Sequence, residues 1–204
     1  FSLDLQSFWL DEVQAFWFID HPLLETARLI IAPEHNGPLY FLLLWIWQRL
    51  TGPSDFAVRY MSALFSLLTV GVVWQLARGW FGRRVAGLSA LLLAISPFAV
   101  WFGQEGKMYA LHMLLAATST WLLVRAIRRV ASPFPALPLW LAYGVSINLL
   151  GYSHFFGAFT IAAQGLITLA TTMRRPRVLK SYILTMIVIA VPYLPIVRFA
   201  LRVL

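Results

Sequence analysis

Cysteine is absent from this 204-residue chain, which excludes disulfides and thiolate metal sites and leaves the redox compartment open. Charge is scarce as well. Only 12% of the residues are Asp, Glu, Lys or Arg, against roughly a quarter in a soluble domain. Acids are the scarcest, eight against sixteen Lys and Arg, for a formal net charge of +8. The basic excess forms no arm and no nucleic-acid signature, so nucleic acid is excluded as a partner and the charge reads as membrane topology. There is no internal repeat and no low-complexity segment. What remains is apolar: 60% of the residues are hydrophobic and the mean hydropathy is +0.76. This composition belongs to an integral membrane protein.

A helix that crosses a bilayer needs roughly 20 mainly apolar residues. Five uncharged stretches approach that length: Tyr60–Ala77, Val85–Gln104, Met108–Val124, Ala131–Met173 and Ser181–Val197. The fourth is too long for one helix and divides at Gly151-Tyr152-Ser153-His154-Phe155-Phe156-Gly157, a glycine-bracketed hairpin. The expected fold is therefore an all-α polytopic bundle of about six spans over 56–204, preceded by an external segment over 1–55.

Charge threads through this count consistently. Arg78, Arg83, Arg84, Arg125, Arg128, Arg129, Arg174, Arg175, Arg177 and Lys180 fall on one side, with no acid among them. Asp4, Asp11, Glu12, Asp20, Glu25, Glu34, Asp55 and Glu105, all the acids of the chain, fall on the other. By the positive-inside rule the arginine side is cytoplasmic. The external segment holds short helices expected over Asp11–Asp20, Pro22–Ile31 and Pro38–Leu50, too short to span and suited to the interface. Gly37-Pro38 marks the start of the third, and Thr51-Gly52-Pro53 stops it.

Trp9-Leu10-Asp11-Glu12 sets two adjacent carboxylates in an aromatic segment at the membrane surface. Ionised groups are costly near hydrocarbon, so such a pair marks a functional site. The plainer reading is an acidic helix start, with Asp11 as its cap. Transfer of a sugar from a lipid phosphate needs one base near the acceptor hydroxyl and cations near the departing phosphate, which requires no general acid. Asp11 or Glu12 can be the base. On the same side, Arg59, Lys107 and His35 are candidate phosphate contacts, with Arg198 and Arg202 further along. Arg59 could instead snorkel from a helix end, and Lys107 could pair with Glu105. His154 lies in the hairpin loop on this face beside Tyr152 and Ser153, whereas His112, inside a helix, reads as a satisfied hydrogen-bonding group. Asp11, Glu12, Glu34 and His35 could converge as hard ligands for a divalent metal, but their spacing is not diagnostic. No cofactor is required.

The ordered set of motifs resembles the first external loop and following spans of the GT-C glycosyltransferases. The similar groups are the protein O-mannosyltransferases and aminoarabinose transferases (glycosyltransferase family 39 and its relatives). The set comprises Trp9-Leu10-Asp11-Glu12, Glu34-His35-Asn36-Gly37-Pro38-Leu39-Tyr40, Phe56-Ala57-Val58-Arg59, Ser96-Pro97, Gln104-Glu105-Gly106-Lys107-Met108-Tyr109 and Tyr152-Ser153-His154-Phe155-Phe156. The sequence departs from the family at Asn36-Gly37-Pro38, where consecutive prolines are favoured, and at Gly106-Lys107, where Ala-Arg is common. The resemblance implies inverting transfer from a polyprenyl-phosphate sugar to a lipid, glycan or protein hydroxyl. Asp11 is then the base and Glu12 its support. Glu34, His35, Arg59, Glu105, Lys107, Tyr109 and His154 are then donor-phosphate or substrate contacts. It also implies an amino-terminal fragment of a bacterial inner-membrane enzyme, its site facing the extracytoplasmic side. The abrupt start at Phe1 accords with an upstream span. A transporter or lipid flippase is the alternative, but such proteins place ionisable groups at midplane on broken helices, and here the charges sit at helix ends.

Overall fold

The computed structural model describes residues 10–30, 37–129 and 136–193, apart from the side chains of Leu10 and Asp11. Among these residues all regular structure is helical. Three short helices come first: α1 (Leu10–Ile19), α2 (Leu23–Ile30) and α3 (Pro38–Thr51). Their positions follow from local chemistry. His21-Pro22 separates α1 from α2, and Thr26 Oγ1 ties the turn by donating to Phe18 O at 2.9 Å. Gly37 precedes α3 with φ +87°, Pro38 opens the helix, and Gly52 closes it with φ +84°. Both glycines hold backbone conformations that side chains with a Cβ resist.

The long helix α4 (Asp55–Ala94) starts on a Ser54 cap, whose side chain accepts from Ala57 N at 3.1 Å. It is not one rod. Gly82 interrupts it with φ +83° and ψ −179°, a combination open essentially to glycine alone. The chain doubles back there. Ser66 Oγ, before the break, lies 3.5 Å from Ala99 O after it, and a Cβ on Gly103 would stand 2.7 Å from Ser66 Oγ. The first two apolar stretches thus form a hairpin pivoting on Gly82. The expected single span Val85–Gln104 is corrected in one respect: it is broken at Ile95-Ser96, between α4 and α5 (Pro97–Gly103). Proline lacks an N–H and biases the residue before it away from helical geometry.

Next come α6 (Tyr109–Arg129), α7 (Leu137–Ser153), α8 (Gly157–Thr172), α9 (Pro176–Ala190) and a closing 3-10 turn over Val191–Tyr193. The expected split of the long apolar stretch falls between α7 and α8. Helix α9 starts five residues before the apolar stretch assigned to it, because Pro176 opens it. Three helices, α4, α6 and Pro176–Tyr193, are long and apolar enough to cross a membrane, and α8 is a shorter apolar helix. The protein is an all-α membrane helical bundle.

Helix α6 runs parallel to the first half of α4. Its last turn reaches Gly79, whose carbonyl accepts from Arg128 Nη1 at 2.7 Å. Its first turn adjoins the 104–108 loop. With a rise of 1.5 Å per residue, its 21 residues separate these two ends by about 30 Å. The interior between them is held by uncharged polar groups. Gln164 Nε2 donates to Ser119 Oγ and Thr120 Oγ1 at 2.9 and 3.0 Å, and Tyr143 donates to Gln164 Oε1 at 3.1 Å. Such amide and hydroxyl links join helices where hydrophobic burial gives no drive.

Candidate active site

Helix α1 presents Glu12, Ala15 and Ile19 at i, i+3 and i+7, and all three are buried, as is Phe18. The opposite face, with Val13, Gln14 and Trp17, is exposed. The orientation is fixed by edge-to-face packing of Phe18 on Phe41 of α3, ring centroids 5.1 Å apart. Glu12 is thereby turned inward and left only 2% exposed.

A charge so buried needs a partner and further hydrogen bonds. Arg59, in the first turns of α4 and also buried, supplies a two-pronged clamp: Nε donates to Glu12 Oε1 at 3.1 Å and Nη2 to Oε2 at 2.8 Å. The backbone N–H of Gly106 adds a third bond to Oε1 at 2.7 Å. Glycine is required at that position by space. A Cβ there would stand 2.7 Å from Val58 Cγ1 and 3.3 Å from the carboxylate oxygen itself. The departure from the family's pattern at Gly106 thus coincides with an unusually close approach of the loop to the acid.

The same loop is fastened at its next residue. Ser62 Oγ donates to Lys107 O at 3.4 Å and shares a 3.2 Å hydrogen bond with Tyr40 of α3. Lys107 is buried. Glu105, on the other side of Gly106, accepts from Trp101 Nε1 at 2.6 Å. Gly37 closes on the same centre, since a Cβ there would lie 2.9 Å from Ser153 O and 3.0 Å from Met108 Cε.

His154 caps α7 and is buried, with its ring 5.7 Å from Tyr109 and 5.5 Å from His112. Phe156 N donates to its Nδ1 at 3.1 Å, so the neutral ring carries its proton on Nε2. Burial holds this imidazole below its ordinary range. His112 Nδ1 lies 3.1 Å from Ser153 Oγ, which in turn donates to Leu150 O at 2.7 Å.

The structure therefore gathers Glu12, Arg59, Glu105, Lys107, Tyr109 and His154 around the 104–108 loop and the α7–α8 turn. Asp11 is the second residue of α1, one step from Glu12; its side chain, together with Glu34, His35, Arg198 and Arg202, lies outside the described residues. Among the described residues no group of three metal-ligating side chains forms. Sequence reasoning missed Tyr40, Ser62 and the Gly106 N–H. Gly106 alone carried a signal, as a glycine where the family favours a side chain.

A family model described as dolichyl-phosphate-mannose-protein mannosyltransferase matches residues 34–197. No curated protein and no solved structure matches the chain.

Proposed function

Since the chain belongs to the dolichyl-phosphate-mannose-protein mannosyltransferase family and is a membrane glycosyltransferase of the GT-C type, we propose that it transfers a sugar from a polyprenyl phosphate to a hydroxyl acceptor with inversion, Asp11 acting as general base. Asp11 takes the acceptor proton as the hydroxyl oxygen attacks the anomeric carbon. The bond from that carbon to the phosphate oxygen breaks on the opposite face, and the phosphate leaves with the electron pair. No protonated leaving group is needed. The site faces the extracytoplasmic side of a bacterial inner membrane, opposite the arginine-rich end. The external segment over 1–55 acts as the catalytic cover of the bundle.

The observation that carries the assignment is the engagement of Glu12. Clamped by Arg59 and Gly106 and 2% exposed, it is a positioning residue. Arg59 holds Glu12 in place, and the role of base passes to its neighbour Asp11. Lys107, Tyr109 and His154, with His35 and Glu34, form the donor side. Fixed cations in a water-poor site stabilise charge on the leaving oxygen. Glu105, held by Trp101, orders the loop bearing Lys107.

The test is transfer by the purified full-length protein supplied with polyprenyl-phosphate sugars and hydroxyl acceptors. Asp11→Asn is expected to lower turnover by about 10²–10⁴ while the protein keeps its melting temperature, as befits loss of a general base. Near-normal turnover by well-folded Asp11→Asn would refute the base assignment.

A further inference from the structure

A second site lies on the opposite flank of the bundle. Helices α7 and α9 meet closely at Gly144, where a Cβ would stand 3.1 Å from Ile189 Cγ2, and they leave a groove of about 570 Å³ beside that contact. Ligand-sized pockets measure roughly 300–1,000 Å³. Leu141, Val145 and Val188 line its apolar length, and Arg129 and Arg177 stand at its mouth. That mouth opens on the arginine-rich end, far from Glu12.

The lining also contains an anomaly. Among the described residues, the buried side-chain polar atoms without a hydrogen-bond partner are Trp140 Nε1 and Asn148 Oδ1, and both residues line this groove. Trp140 is 4% exposed. A buried donor without a partner is costly, so its occurrence in a native structure signals a missing acceptor. Trp140 lies in the first turn of α7, just below the level of the two arginines. Asn148 is eight residues deeper, about 12 Å along the helix.

We propose that this groove binds one anionic phospholipid of the arginine-side leaflet. Its phosphate sits between Arg129 and Arg177, an ester oxygen accepts from Trp140 Nε1, and one acyl chain lies along Leu141, Val145 and Val188. The charge at the mouth selects an anion. The length of apolar lining below it selects a lipid over a soluble phosphate. The unpartnered indole stands in the first turn of α7, close in the chain to the arginine-side end, and tryptophan is enriched at the membrane–water interface where glycerol esters lie. Guanidinium groups suit a phosphate because they offer planar paired donors.

The test uses the full chain, delipidated in mild detergent. Phosphatidylglycerol, phosphatidylcholine of matched chains, polyprenyl phosphate and inorganic phosphate are added separately. Binding is read by native mass spectrometry and by the melting temperature. One phosphatidylglycerol per chain is expected to be retained and to raise the melting temperature, with the other three retained weakly or not at all. Arg129→Gln/Arg177→Gln should weaken retention at least tenfold, and Trp140→Phe about two- to tenfold, the worth of one hydrogen bond. A dibrominated phosphatidylglycerol should quench the tryptophan emission of the wild type more than that of Trp140→Phe. This last readout does not depend on the arginine variants folding. Equal retention of phosphatidylcholine, preferential retention of polyprenyl phosphate, or quenching unchanged by Trp140→Phe would overturn the proposal; the last would mean that another protein segment covers the groove.

Discussion

Arg59 grips Glu12 across 47 residues of sequence, with Nε at 3.1 Å from one carboxylate oxygen and Nη2 at 2.8 Å from the other. Both side chains are almost wholly buried, at 4% and 2% exposure. The pair joins the first short helix to the first long one, and through Gly106 it reaches a loop 94 residues away.

Removing one partner of such a pair strands the other charge. Arg59→Ala and Glu12→Gln are each expected to cost about 3–5 kcal/mol of stability. Arg59→Lys should recover only part of the loss, since an ammonium cannot reproduce the two-pronged geometry. Denaturation in detergent measures these effects. The double variant, Glu12→Gln/Arg59→Ala, should be less destabilised than the sum of the singles, because the stranded charge is gone.

Gly106 is expected to reject even a methyl group. Gly106→Ala places a Cβ against Val58 Cγ1 and close to Glu12 Oε1, and overpacking of this kind costs about 1–3 kcal/mol. Val58→Ala removes the obstructing methyl. The pair Gly106→Ala/Val58→Ala should therefore be more stable than the two separate losses add up to. Additive losses would place the conflict elsewhere.

Gly82→Ala tests the hairpin pivot. With φ +83° and ψ −179°, this position should cost about 1–3 kcal/mol when given a side chain. Open space surrounds its Cβ direction, so any loss arises from the backbone and not from crowding. Gly87→Ala, at a glycine with equally open space but ordinary helical φ, should not show this loss.

His154 should impose a pH dependence of known sign. Burial holds its imidazole below the ordinary value of 6.5. The unfolded chain therefore binds the proton first, and stability falls as pH drops through about 6.5 toward the lower folded value. Above that range the contribution is fully present. Protonation would also turn Nδ1 from acceptor into donor against Phe156 N–H. Melting temperature followed from pH 7.5 to 5 should decline less in His154→Asn, whose side-chain oxygen can still accept from Phe156 N–H. An unchanged slope would exclude His154 as a source of the pH dependence.

Much of this architecture was legible because its causes are local. Pro38 after Gly37, Pro53 after Gly52 and the glycines flanking 152–156 terminate helices wherever they occur, and an uncharged stretch long enough to span declares itself. Ser96-Pro97 could also be read as a stop, yet the absence of charge over 85–104 favoured one continuous span. The reversal between the first two apolar stretches was legible from Arg78, Arg83 and Arg84, which part them, but nothing in the sequence singled out Gly82 as the residue that makes it.

The sequence by itself determined the class of the protein: a chain poor in charge and rich in long apolar runs must satisfy its backbone within helices, and its acid-free arginine clusters mark one end of them. Only the tertiary structure decided that Glu12 turns inward. Successive side chains on a helix differ by about 100° in direction, so the rotation of α1 about its axis decides whether Glu12 meets Arg59. That rotation is set by Phe18 on Phe41 and by an arginine and a glycine amide brought from distant parts of the chain.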